Sequence, residues 1–227
     1  MDLKLDKAQF PQPEWPAKPH KVGQSLCHWF DLQARKPFTE LIQNLPPNPV
    51  LVEFGTFLGA GSTMVALTAR ADLQVICLDH WKITGRLASR YNPQNSMDKR
   101  NNLCAFLRGE GTALQHCQNN LFAFRDRVTL VEVKTLPRTV DALAAAGVKP
   151  NCVLLDDDHN KNPFLNRLRR CRACWPDALI VCDDYCQPWQ GVIDGVQEAF
   201  RENLYSRSES QLIGNRMMTF KRNSNGE

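Results

Sequence analysis

The sequence predicts an α/β fold: a doubly wound, mainly parallel sheet with helices on both faces. Three observations carry that expectation. From residue 50 onward, short apolar runs alternate with helical stripes. A glycine-rich stretch, Gly55 to Gly61, directly follows the first run. Carboxylates then stand just after several of the runs. Strands alternating with helices are joined by right-handed crossovers, which makes their sheet parallel.

Residues 1–49 read as an N-terminal arm followed by helices. Pro11, Pro13, Pro16 and Pro19 keep the first twenty residues extended, because proline fixes φ and lacks an N–H. Residues 23–44 read as helical, with Leu26, Phe30, Leu41 and Ile42 as the apolar positions. Pro37 is expected to break that segment in two. Residues 50–227 form the main domain. Buried strands are expected at 50–54, 73–78, 128–133, 152–155 and 178–182, each a short apolar run. A late strand at 217–220 is expected to pair with the stretch near Leu204, which makes seven strands. Helices are expected at 62–70, at 112–124, after Thr135 as far as Gly147, around Phe164 to Trp175, and at 191–202. Thr135 is placed to cap its helix, with Pro137 in the first turn. Residues 82–111 depart from the rhythm: they are polar, with Gly85, Pro93, Gly109 and Gly111. A segment of that length is not needed to join a strand to a helix, so it reads as a partly helical lid over a substrate.

Composition narrows the setting. The chain has 227 residues, 43% hydrophobic and 23% charged, which suits one large domain with a full core. No apolar run is long enough to cross a bilayer, and the N-terminus has no apolar stretch after its charges. A cytoplasmic location and no membrane partner are expected. The net charge of +4 is too small to point to nucleic acid. Arg167, Arg169, Arg170 and Arg172 read as the solvated face of a helix. Nine cysteines are an odd number, and their sites in strands and on helix faces suit reduced, buried thiols. Cys171 and Cys174 form a CxxC followed by Cys182 and Cys186. Cys182 falls inside an apolar strand, which argues against a zinc cage.

Ligands of such sheets bind beyond the carboxyl ends of the strands, so the residues there carry the chemistry. After the first strand, Gly55, Gly59 and Gly61 let backbone and ligand approach, and Ser62 opens a helix whose free N–H groups face the same place. Glu53, at the end of that strand, would repel a pyrophosphate and attract an ammonium. After the second strand, Asp79 can accept hydrogen bonds from both hydroxyls of a ribose. Trp81 either covers an adenine or packs in the core. After the third, Lys134 and Thr135 would flank the adenine by position. After the fourth come Asp156, Asp157, Asp158 and His159, and after the fifth Asp183, Asp184 and Tyr185. Close carboxylates repel unless a hard divalent cation lies between them, or unless they only cap the next helices. Asp156, Asp183 and Asp184 are the candidate metal ligands. His159 is placed to take a proton near neutral pH.

At these residues a resemblance enters. VEFGTFLGAGST resembles the first motif of class I S-adenosylmethionine (SAM)-dependent methyltransferases. LLDDDHN followed by ALIVCDDY resembles the metal-dependent small-molecule O-methyltransferases of the macrocin and mycinamicin type and, more distantly, catechol O-methyltransferase. It covers roughly residues 50 to 221 in pattern. It implies the seven-stranded, Rossmann-like class I methyltransferase fold. It also implies SAM held by the glycine loop, with Gly55, Gly59 and Gly61, and by Asp79, beside which Glu53, Ser62, Thr135 and Asp156 are cofactor contacts expected by position, and Mg²⁺ held by Asp156, Asp183 and Asp184. His159 takes the place of the base, and the acceptor is a small hydroxylated molecule. Two departures stand out. Asp157 replaces the small residue usual in relatives, and residues 160–163 lack the aromatic often found there. Two other readings start from the same residues. One is an NAD-dependent oxidoreductase using the glycine loop and Asp79. The other is a non-catalytic nucleic-acid-binding protein using the arginine cluster. The proline-rich arm leaves room for exchange between two subunits of a homodimer.

Overall fold

The computed structural model describes residues 5–22, 31–82, 111–133 and 138–220. Leu26, Phe30, Lys134, Thr135, Pro137 and residues 83–110 of the expected lid lie outside that set.

The sheet has seven strands: β1 (Val50–Phe54), β2 (Gln74–Asp79), β3 (Val128–Glu132), β4 (Cys152–Leu155), β5 (Leu179–Cys182), β6 (Ser210–Ile213) and β7 (Met217–Phe220). Their order is β3-β2-β1-β4-β5-β7-β6. β1 to β5 run parallel, whereas β7 is antiparallel to both β5 and β6. The strand order reverses between β1 and β4, and a crevice opens at such a reversal.

Period-two alternation along each strand feeds two cores, one on each face. Val52 and Phe54 of β1, with Ile76 and Leu78 of β2, face one core. Leu51, Val75 and Cys77 face the other. On the first side pack α4 (Thr139–Ala145), α5 (Lys161–Cys174) and α6 (Gln190–Arg201), through residues such as Leu143, Leu168 and Val196. On the second lie α1 (Leu32–Gln43), α2 (Ser62–Ala69) and α3 (Ala113–Leu121), through Phe38, Leu67 and Leu121. Thr112 starts α3 with a capping box: its hydroxyl accepts from Gln115 N, and Gln115 Oε1 accepts from Thr112 N at 2.8 Å.

Three expectations are corrected. Pro37 does not break the first helix, since α1 runs through it. The interruption costs about 3 kcal/mol. Burying the face formed by Ala34, Phe38 and Ile42 offsets it, at about 1.5–3 kcal/mol for each large side chain. The helix starts instead at Asp31, whose carboxylate accepts from Gln33 N. Second, the partner of β7 is β6, not the stretch near Leu204. Leu204 N bonds back to Ala199 O and closes α6. Third, Arg167 is not solvated. It is buried against the Phe54 ring and paired with Asp157, whereas Arg169 and Arg170 remain outside and pair with Glu202 and Asp141.

The arm lies against its own chain. Leu5 and Phe10 enter the core, Pro11 O accepts from Glu132 N of β3 at 2.9 Å, and His20 bonds Gln118 and Asn119 of α3. Among the described residues no helix is long and apolar enough to cross a membrane. Cys77, Cys117, Cys152, Cys171 and Cys182 are free and buried. Burial holds their thiols above the usual range, so they stay protonated.

Candidate functional site

The crevice at the β1–β4 reversal has two halves. The first is the glycine loop. Glu53 points to the α2 side of the sheet, as Leu51 does two residues earlier, and is buried. Its carboxylate accepts hydrogen bonds from the hydroxyls of Ser62 and Thr63, the first two residues of α2. Burial still pushes its pKa up, and the nearby Asp79 adds to that. Gly55, Gly59, Gly61 and Ser62 line the cleft together with Glu53, Asp156 and Asp183. Gly55 has φ +91°, and a Cβ there would stand 2.2 Å from Asp156 O. Glycine at 55 is therefore needed first for the close packing of β1 on the β4 loop. Gly59 likewise leaves room for Leu121 of α3.

Asp79 ends β2 and clamps the loops above it. Its two oxygens accept from Phe57 N at 2.8 Å and Trp81 N at 2.7 Å. Trp81 takes the core alternative: it is buried, and its indole N–H donates to Phe57 O at 2.8 Å. Thr135 lies outside the described residues.

The second half follows β4 and β5. Asp156, His159 and Asp184 each offer a ligand atom, and these atoms all lie within 4.8 Å of one another. His159 Nε2 is 2.6 Å from Asp184 Oδ2, and its ring stacks on Trp189 with centroids 4.0 Å apart. Gly191, in the first turn of α6, allows this loop to sit so close: a Cβ there would be 2.2 Å from His159 O. Burial lowers the pKa of His159 below the ordinary imidazole value, against the opposing pull of Asp157, Asp158 and Asp183. Burial and the neighbouring Asp183 and Glu53 push Asp156 well above the usual carboxylate range. Burial raises Asp183 to about 6 against the pull of Arg216. Asp157 turns away from the crevice and pairs with the buried Arg167 beneath it. The extra acid after β4 is thus paired inside the core.

Sequence reasoning missed Arg216. Its Nε donates to Asp183 Oδ1 at 3.0 Å, and its other arm donates to Asp184 Oδ1. The available signal was register. β5 and β7 pair Cys182 with Met218, so two residues further along Asp184 falls opposite Arg216. With β7 expected to pair near Leu204, that turn was not placed beside β5. Trp189 and Thr63 were missed as well, since neither stands directly after a strand.

Among the described residues, Asp156, His159 and Asp184 are the group of His, Cys, Asp or Glu with ligand spacing; the cysteines form none. Of the arginine cluster, Arg167 is buried, Arg169 and Arg170 pair with Glu202 and Asp141 at the surface, and Arg172 donates to Pro176 O.

No protein-family model and no curated protein matches the sequence. Solved structures do. The O-methyltransferase NovP is similar with a TM-score of 0.55 and 17% identity, over 84% of this chain and 80% of that one. A candidate caffeoyl-CoA O-methyltransferase from Staphylococcus aureus has a TM-score of 0.53 and 12% identity, over 85% and 84%. CalS11, a TDP-rhamnose 3′-O-methyltransferase of calicheamicin biosynthesis solved in its apo form, has 0.50 and 14%, over 83% and 76%. At these identities the likeness establishes the fold: the seven-stranded, mainly parallel sheet of the class I methyltransferases.

Proposed function

We propose that the chain is a SAM-dependent methyltransferase acting on a hydroxyl of a small molecule. One observation carries this reading. Among the described residues, the glycine-loop cleft is lined by three carboxyl side chains, Glu53, Asp156 and Asp183, and by no basic one. A dinucleotide pyrophosphate would be repelled there, whereas a ligand carrying an ammonium and a sulfonium would be attracted. The same charge count disfavours the NAD alternative.

The residues present fit that cofactor. Glu53, with the hydroxyls of Ser62 and Thr63 holding it in place, would face the ammonium. The free N–H groups at the start of α2 suit the carboxylate of the same amino-acid moiety. Asp79 would take the ribose hydroxyls on the lone pairs left beside its bonds to Phe57 N and Trp81 N. SAM supplies, when bound, a methyl group already activated on a sulfonium. The chain's part is to align the acceptor, take its proton and exclude water.

His159 has the geometry of the proton acceptor. With Arg216 donating to Asp184 Oδ1, Asp184 Oδ2 is left to accept from His159 Nε2, which puts the ring proton on that nitrogen. The lone pair then lies on Nδ1, and the acceptor's hydroxyl proton goes to that atom as its oxygen attacks. Asp184 fixes the tautomer and the stack on Trp189 fixes the ring plane. The metal-dependent form of the reading draws on the closeness of Asp156 to Asp184, beside which Asp183 Oδ1 accepts from Asp184 N. Mg²⁺ would be held by Asp156 and the Asp183–Asp184 pair, and when bound it would lower the pKa of an acceptor hydroxyl.

Calorimetric titration of SAM into the purified chain tests the proposal. Saturable one-site binding is the expected result, with NAD giving no heat. A folded protein that binds NAD and ignores SAM, with or without Mg²⁺, would overturn it.

A further inference from the structure

We infer that Arg216 is a built-in cation that competes with a divalent metal ion for Asp183 and Asp184. The inference takes from the proposed function only that a divalent ion enters this cluster.

The arginine is there by construction. Its backbone belongs to the turn between β6 and β7, which is tied down on both sides. Asn215 N donates to Asp31 Oδ2 at 2.9 Å, and Asn215 Nδ2 donates to Gln33 Oε1 at 2.7 Å at the start of α1. On the other side, Tyr185 N donates to Arg216 O at 2.7 Å. Asp184 meets the guanidinium from a left-handed backbone position, φ +59°, and its own N–H donates to Asp183 Oδ1 at 2.7 Å. Two successive carboxylates are thus presented to one guanidinium, whose planar fork of donors suits them.

The consequence for a metal follows from counting lone pairs and charges. Asp183 Oδ1 already accepts from Arg216 Nε and Asp184 N. Asp184 Oδ1 accepts from Arg216, and Asp184 Oδ2 faces His159. A hard divalent ion takes its ligands from carboxylate oxygens. The guanidinium takes lone pairs on Asp183 Oδ1 and Asp184 Oδ1 that the ion would use, and the ion's two positive charges repel the third. The Arg216 side chain is a quarter exposed, so it can swing into solvent with its backbone held. Ion entry and departure of Arg216 from the carboxylates are one exchange. In the metal-free chain the arginine bridges Asp183 and Asp184, and Asp184 Oδ2 stays on His159.

Titration of Mn²⁺ alone into the full chain, with neither SAM nor acceptor, reads this exchange by calorimetry or by loss of the free-ion electron paramagnetic signal. Arg216→Gln should bind Mn²⁺ about tenfold more tightly than wild type, because a competing charge has gone. Arg216→Lys should fall between the two. Adding Asp184→Asn to Arg216→Gln should remove the gain. Circular dichroism checks that each variant is folded, and if Arg216→Gln does not fold, Arg216→Lys decides alone. Equal affinity in wild type and variant, no binding to either, or a gain that survives Asp184→Asn overturns the inference. Because no cofactor is present, failure here is separable from failure of SAM to bind.

Discussion

The two halves of the crevice satisfy their buried acids in opposite ways. Glu53 is met by two neutral hydroxyls from the helix that begins a few residues later. Asp183 and Asp184 are met by a full positive charge from a turn more than thirty residues away in sequence. Neutral donors leave Glu53 short of compensation, and its pKa stays raised. The glycine half is therefore prepared to receive a cation from outside, and the acid half already contains one. Under the proposed function a ligand with an ammonium group would suit the first, and a metal at the second would compete with a resident cation.

The largest effect should come from a change that strikes the seam between the halves. Gly55→Ala places a methyl group against Asp156 O, at a backbone angle that side chains avoid. A loss of about 3 kcal/mol or more is expected in urea unfolding, with SAM binding lost as well. Arg167→Ala strands Asp157 without its buried partner. A cost of about 3–5 kcal/mol is expected, and the Arg167→Met, Asp157→Asn double variant should recover most of it. Recovery that fails would mean the pair does more than neutralise Asp157.

His159→Ala tests the acid half alone. The methyl-transfer rate to an identified hydroxyl acceptor should fall about 10²–10⁴-fold, with SAM affinity unchanged. Glu53→Gln tests the glycine half and should weaken SAM by about tenfold. Its pH signature has a definite sign. The raised pKa means that Glu53 is protonated above the usual carboxylate range, and a proton competes with a cationic ligand. SAM affinity of the wild type should therefore rise with pH through that range, and Glu53→Gln should flatten the rise. For the protein without ligand the sign reverses. The stability that a raised pKa confers is present below the ordinary carboxylate pKa and lost as pH climbs through the raised one. Smallest of all is Arg169→Ala on the exposed face of α5, expected to cost under about 1 kcal/mol. Set beside Arg167→Ala, it separates two arginines that the sequence places on the same helix.

What could be read from the sequence follows contiguity. Glu53, the glycine loop and the start of its helix lie within a dozen residues, and local pattern places them together. The carboxylates after β4 and β5 were legible because parallel strands end on one side of a sheet. Arg216 was not, because an antiparallel hairpin delivers it and its register depends on which stretch pairs with β7. Arg167 was misread for a related reason. Helical periodicity sees a charged face, and only the tertiary structure shows Asp157 beneath it. Pro37 failed as a helix breaker because packing of Phe38 and Ile42 outweighs one missing hydrogen bond.

The arm at the start of the chain has a practical side. A sheet edge presents a row of donors and acceptors that other copies can recruit. Along β3 the arm occupies part of that row through Pro11, and Leu5 and Phe10 root it in the core. Trimming the first twenty residues as dispensable would bare that edge and a greasy socket together. The shortened chain should be the one that clumps on storage.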